Sequence, residues 1–319
     1  MWLDWLLLVV GMVLLIKGAD FFVDGASRIA KALKIPSLII GLTLVSMGTS
    51  APEASVSINA AINNLNDLSI GNVVGSNIFN ILFILGLSSL FTPLVISKDM
   101  KRFDIPIMMG VFVILILFSF VITPLKLDLV ESIILLVLFV SYIAFLIYRA
   151  KKNPPVELEE QKESKIKSKK VQMLLNIVFV VVGLAAIIWG GDLVVDSATK
   201  IALDLGMSES LVGLTIVAVG TSLPELVTSI VASIKKEDDI AVGNVIGSNI
   251  FNILFILGLS STISNLVVIE SSLFDMIAMT IAGIAVMLTS FFSKKITKIP
   301  GIIMFLMYVA YLTYIIIRN

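Results

Sequence analysis

The chain has 319 residues, of which 58% are hydrophobic and 14% charged, and its 23 Lys and Arg balance 23 Asp and Glu. Mean hydropathy is +1.07, whereas soluble domains carry about a quarter charged residues. That balance excludes a soluble enzyme, a disordered chain and a nucleic-acid-binding surface, and leaves a polytopic helical membrane protein.

The apolar runs are about 20 residues long, too long for the alternating ten-residue segments of a membrane barrel. The first run, Trp2–Lys31, lacks a basic leader and a small-residue cleavage site, so it reads as a helix, not a signal peptide. It is followed by Ser37–Asn63, Ile70–Leu90, Asp104–Ile122 and Val130–Tyr148. A mixed-charge stretch with a Pro-Pro, residues 150–170, reads as a solvated linker too short for a domain. Beyond it lie Val171–Ala202, Glu209–Ile234, Ile240–Ser261, Leu273–Phe292 and Ile299–Ile317. The expectation is ten transmembrane helices, five in residues 1–149 and five in residues 171–319.

Lys and Arg set the orientation. With the N-terminus outside, 19 of the 23 basic residues fall on cytoplasmic connections and 3 on outer ones. Both termini are then external and the linker cytoplasmic, in a multi-pass plasma-membrane protein.

The sequence repeats itself at an offset of 172 residues. Gly71–Ser88 and Gly243–Ser260 differ only at Val74 and Ile246 over 18 positions. The same offset aligns Gly41-Leu42-Thr43 with Gly213-Leu214-Thr215 and Gly48-Thr49-Ser50 with Gly220-Thr221-Ser222. It also aligns Pro52-Glu53 with Pro224-Glu225, and Gly11, Asp20 and Asp24 with Gly183, Asp192 and Asp196. Five helices per copy is odd, so the copies must be inverted, an arrangement typical of secondary transporters.

The most repeated residues are polar and lie mid-membrane. Pro52 and Pro224 lack an N–H and clash with the carbonyl four residues earlier, at Gly48 and Gly220, so each helix should break there. Freed carbonyls in lipid need a partner, and a cation can serve. Glu53 and Glu225 are the only acidic residues near the middle of a span, with no Lys or Arg at that depth to neutralise them. Their partners must be protons or bound cations. Thr49 and Glu53, Thr221 and Glu225, Ser76 and Asn80, and Ser248 and Asn252 are each spaced i,i+4 and share a helix face. Such an oxygen-rich, doubly anionic site suits Ca²⁺, with its 6–8 oxygen ligands, or several Na⁺, better than Mg²⁺. Near the helix ends, Asp20, Asp24, Asp192 and Asp196 suit solvated ion pairs or a vestibule more than ligation, and the runs around Phe79, Phe83, Phe251 and Phe255 suit a lipid-facing or packing surface.

G-T-S-x-P-E followed by G-N-x-x-G-S-N-I-x-N, present in both halves, resembles the two alpha-repeats of the sodium/calcium exchanger family. The resemblance implies an all-α antiporter exchanging Na⁺ for Ca²⁺ by alternating access, with about three Na⁺ per Ca²⁺. It implies that Glu53, Glu225, Thr49 and Thr221 bind Ca²⁺. Ser50, Ser76, Ser222 and Ser248, with carbonyls near Ser46 and Ala218, would form two Na⁺ sites, and Asn80 and Asn252 a central one. It further implies that the first and sixth helices slide past the other eight. Asparagine at both central positions, where potassium-dependent relatives carry an aspartate, argues against a K⁺ requirement. The linker is too short for calcium-sensing regulatory domains. No cofactor, nucleic acid or obligate protein partner is expected, only the two ions and the bilayer. The closest rival is a Ca²⁺/H⁺ antiporter on the same glutamates; a cation channel and an acidic intramembrane protease fit less well.

Overall fold

The computed structural model describes residues 2–152, 168–207, 216 and 218–318. Lipid cannot bond to backbone, so every spanning segment must satisfy its own N–H and C=O groups, and the leucine- and isoleucine-rich runs do so as helices. The first half holds α1 (Trp2–Leu33), α2 (Ser37–Thr49), α3 (Ala51–Ile62), α4 (Asn66–Phe91), α5 (Met100–Ile122) and α6 (Leu129–Lys152). The second holds α7 (Lys169–Asp204), α8 (Ala218–Gly220), α9 (Leu223–Ile234), α10 (Asp238–Ile263), α11 (Glu270–Phe292) and α12 (Lys298–Arg318).

Eight of these, α1, α4 to α7 and α10 to α12, are long and apolar enough to cross a membrane. The second expected span is the broken pair α2 and α3. In the seventh, residues 209–215 and 217 of the expected Glu209–Ile234 lie outside the described residues. Several helices overrun their expected ends: α6 reaches Lys152 and α7 starts at Lys169, so both ends of the expected linker are helical. Residues 153–167 of that linker lie outside the described residues.

The inverted repeat is visible in the turns. Lys34 (φ 55°) and Gly206 (φ 89°) both reverse the chain in the left-handed region, as do Asn64 (φ 58°) and Lys236 (φ 62°), each pair at the repeat offset. Two short antiparallel ribbons tie the halves together. Strand β1 (Leu94–Val95) pairs with β4 (Lys295–Ile296), and β2 (Lys126–Leu127) with β3 (Leu266–Val267).

Helices α4 and α10 form the centre: 78% and 94% of their apolar windows are buried inside the protein, against 17% for α12. Each carries a wide π-helical turn, at Phe79–Ile84 and Asn252–Leu257. A π turn inserts one residue and rotates the helix beyond it; nothing in the sequence pattern signalled it. Of the two expected roles the phenylalanines there take packing, with Phe79 stacked on Phe83 beside Tyr308, and Phe251 on Phe255 beside Phe139.

Helices α1 and α7 lie antiparallel along a glycine seam. A Cβ on Gly18 would sit 2.8 Å from the carbonyl oxygen of Gly183, and one on Gly183 would sit 2.6 Å from the backbone nitrogen of Phe22. Gly11 and Gly190 repeat this contact one heptad away. Small residues let the two backbones touch.

Candidate functional site

The structure puts Pro52 and Pro224 at the start of a new helix, where a missing N–H costs nothing, so the breaks fall at Ser50 and Ser222, two residues beyond the expected Gly48 and Gly220. The chain therefore leaves helical geometry just before them. Ser50 (φ −82°, ψ 9°) separates α2 from α3, and Ser222 (φ −90°, ψ 5°) occupies the same place before α9. Both helices start with Pro at N1 or N2, and Glu53 and Glu225 fall in the first turn. The partial positive charge of each helix start faces its carboxylate.

Glu53 and Glu225 are both 0% exposed, so neither meets lipid or bulk water. Their hydrogen bonds cross the repeat boundary. Ser222 donates to Glu53 Oε1 at 2.8 Å, and Ser50 donates to Glu225 Oε1 at 2.7 Å. Ser222 Oγ lies 3.2 Å from Ser76 Oγ, and Ser50 Oγ lies 3.0 Å from Ser248 Oγ. Each half thus completes the other's carboxylate, giving two equivalent clusters of one glutamate oxygen and two serine hydroxyls. Ser46 begins the last α-helical turn of α2, and its carbonyl oxygen lies 3.5 Å from Ser248 Oγ, a weak contact. Ala218 begins α8 at the equivalent position.

Other oxygens stay unpaired. Glu53 Oε2, Glu225 Oε2, Thr221 Oγ1, Asn252 Oδ1 and both polar atoms of Asn80 are buried with no hydrogen-bond partner among the described residues. No Lys or Arg there pairs with either glutamate. A buried, unpaired carboxylate oxygen is costly without a partner, and a hard cation is a partner that several converging oxygens can share.

The i,i+4 spacing describes part of this arrangement only. The break at Ser50 interrupts the face shared by Thr49 and Glu53, and Thr49 Oγ1 instead lies 3.1 Å both from the Val45 carbonyl of its own helix and from Asn244 Oδ1 of the other repeat, so its hydroxyl donates to either. The π turns likewise begin between Ser76 and Asn80, and at Asn252 itself. Asn252 Nδ2 donates to Asn77 Oδ1 at 3.1 Å, which turns its own oxygen away from that bond.

Two asparagines missing from the expected set support the glutamate helices. Asn72 donates to Ser57 Oγ at 2.9 Å and to the Glu53 carbonyl at 3.3 Å; Asn244 donates to Ser229 Oγ at 3.0 Å and lies 3.5 Å from the Glu225 carbonyl. Their position inside the duplicated G-N-x-x-G-S-N run was the available signal.

Away from the centre, Lys235 pairs with Asp20 and Asp24, both at 2.6 Å, so these acids form ion pairs at the periphery. Arg149, one of the basic residues counted on the cytoplasmic side, is buried because Asp104 binds it at 2.6 Å.

Two inverted copies that meet at broken helices and converge oxygens inside a membrane define a polytopic helical transporter of the inverted-repeat class. The family described as sodium/calcium exchanger protein matches residues 3–148 and 175–317. The chain is similar to sodium/calcium exchanger MaX1 of Methanosarcina acetivorans, 35% identical over 342 residues and 97% of each chain. It is 40% identical to inner membrane protein YrbG of Escherichia coli over 265 residues, 81% of this chain and 79% of that one. Among solved structures it resembles the sodium-calcium exchanger NCX_Mj soaked with Na⁺ and Ca²⁺, with a TM-score of 0.83, 30% identity and 98% of each chain covered. The chain belongs to the sodium/calcium exchanger family. It is a multi-pass membrane antiporter of a family that transports Na⁺ and Ca²⁺, so the ions are its substrates and not cofactors.

Proposed function

We propose that this protein exchanges about three Na⁺ for one Ca²⁺ through the crossed glutamate centre, without K⁺. The observation that carries the reading is the pair of fully buried carboxylates, each holding one serine of the opposite repeat and one unpaired oxygen. Glu53 and Glu225, with Thr49 and Thr221, suit Ca²⁺. The clusters Ser50–Ser248–Glu225 and Ser222–Ser76–Glu53, extended by the Ser46 and Ala218 carbonyls, suit one Na⁺ each. Asn80 and Asn252 suit the central position as neutral ligands. Ca²⁺ and Na⁺ compete for the same two carboxylates, so binding one set expels the other. An empty centre leaves two uncompensated charges in a low dielectric, which makes the unloaded carrier costly to reverse and suppresses leak.

The two faces of the centre are covered unequally. Gly71 is exposed and Asn72 and Gly75 half-buried on α4, whereas Gly243, Asn244 and Gly247 on α10 are buried. With the N-terminus outside, as the basic residues favour, the thinner cover faces outward and the linker is cytoplasmic in the plasma membrane.

The test is ⁴⁵Ca²⁺ uptake into proteoliposomes with Na⁺, K⁺ and pH gradients imposed separately. Uptake driven by an outward Na⁺ gradient alone supports the reading. Uptake driven only by a pH gradient replaces it with Ca²⁺/H⁺ antiport on the same glutamates.

A further inference from the structure

Asn72 and Asn244 occupy equivalent positions, and their donor bonds match: each ties the first-turn carbonyl of a glutamate helix and a serine one turn later to the neighbouring long helix. Their acceptor oxygens do not match. Asn244 Oδ1 lies 3.1 Å from the hydroxyl of Thr49, which belongs to the other repeat. The equivalent hydroxyl, that of Thr221, is buried with no hydrogen-bond partner among the described residues. Cover differs in the same sense. Asn244 is 0% exposed, while Asn72 is half-buried beside the exposed Gly71. The asparagine on the sealed face therefore holds a cross-repeat bond that its twin on the thinner face lacks.

We propose that Asn72 and Asn244 are positioning residues that work in turn. On the sealed face the amide clamps a threonine of one repeat to the glutamate helix of the other; when the carrier reverses, that bond opens and its twin closes. The chemistry suits a reversible latch. An amide–hydroxyl bond is neutral and of modest net strength, so it biases a conformation without locking it. Because each asparagine also orients the turn bearing a glutamate, closing the latch sets a hydroxyl and a carboxylate from opposite repeats at a fixed spacing.

This inference rests on the antiport reading, and its test separates the two. Ca²⁺ KM is measured from each face in vesicles sorted by orientation, using whichever gradient drives wild-type uptake. Asn244→Ala weakens the described conformation, so it raises KM on the α4 face and lowers it on the opposite face. Asn72→Ala shifts both in the reverse direction. The expected change in the KM ratio is roughly three- to tenfold in each case, the population shift that one neutral hydrogen bond produces. If an asparagine variant does not insert, Ser229→Ala and Ser57→Ala carry the same comparison, because each removes one bond from the corresponding amide. Shifts in the same direction, or an unchanged ratio with only reduced maximal rate, overturn the latch and leave a structural role. Wild-type vesicles that take up no Ca²⁺ under any gradient overturn the antiport reading itself.

Discussion

Replacing Glu225 by Gln tests the charge logic with little change of shape. Glutamine keeps an oxygen near Ser50, so the crossed bond at 2.7 Å has a partner and the helix start is not disturbed. One unit of negative charge is lost from a centre with no basic neighbour among the described residues. Two unit charges 4 Å apart interact by about 4 kcal/mol at an effective dielectric near 20, and a divalent ion doubles that. Much of the attraction is offset by dehydrating the ion, so a net loss of about 4 kcal/mol, roughly a thousandfold in affinity, is the expected scale. Equilibrium ⁴⁵Ca²⁺ binding to the purified protein in Na⁺-free detergent reads it directly. Thermal unfolding supplies an independent arm. In chelator, E225Q should melt higher than wild type, since it no longer buries that uncompensated carboxylate. Added Ca²⁺ at a hundred times Kd should stabilise only the wild type, by about 2.7 kcal/mol. Binding within tenfold of wild type, with an equal thermal response to Ca²⁺, would refute the assignment of Glu225 to the ion.

Other parts of the molecule give three further expected outcomes. Arg149→Met strands Asp104, which is 0% exposed, and should destabilise the protein by about 3–5 kcal/mol in thermal melts; adding Asp104→Leu should recover most of that loss. Gly183→Ala drives a Cβ to within 2.6 Å of the Phe22 nitrogen, a backbone atom that cannot step aside, and so prises α1 from α7. Turnover should fall roughly tenfold, the scale of overpacking strain, while Ca²⁺ binding by the centre is retained; loss of both together contradicts a separate moving pair. Finally, Na⁺-driven Ca²⁺ uptake should be unchanged when K⁺ is replaced by choline, because Asn80 and Asn252, which we propose for the central position, add no charge, and a strict K⁺ requirement overturns that assignment.

The features that the sequence carried were those with a direct chemical signature. Unbroken apolar runs predicted the long helices, a fixed offset predicted the two copies, and Pro52 and Pro224 predicted the breaks. Glu53 and Glu225 stood out because carboxylates in hydrocarbon demand a partner. What could not be read was which residue answers which. Helical spacing pairs neighbours on one helix, but Ser222 reaches Glu53 and Ser50 reaches Glu225 across 169 and 175 residues of chain. That crossing is a product of tertiary packing. The π turns were invisible too, since Phe79–Ile84 and Asn252–Leu257 have the composition of ordinary apolar helix. Asn72 and Asn244 were in plain view inside the duplicated run, but their role depends on the helix beside them. Arg149 counted in the sequence only as a cytoplasmic charge, and its partner Asp104 in space buries it.

The crossed bonds also bear on why the protein keeps both copies so alike at the centre. If each repeat supplied all ligands for its own glutamate, either half could drift while the other kept working. Here a serine lost from one copy unpairs a carboxylate in the other, so neither cluster can be completed by one half alone. On the proposed antiport, reversal of the carrier exchanges the roles of two matching halves, and the ions meet the same chemistry from either side of the membrane. The differences between the copies sit instead in their cover, at the glycine and asparagine faces of α4 and α10. An antiporter needs that division: a centre that stays the same for both ions, held between two faces that cannot both be open.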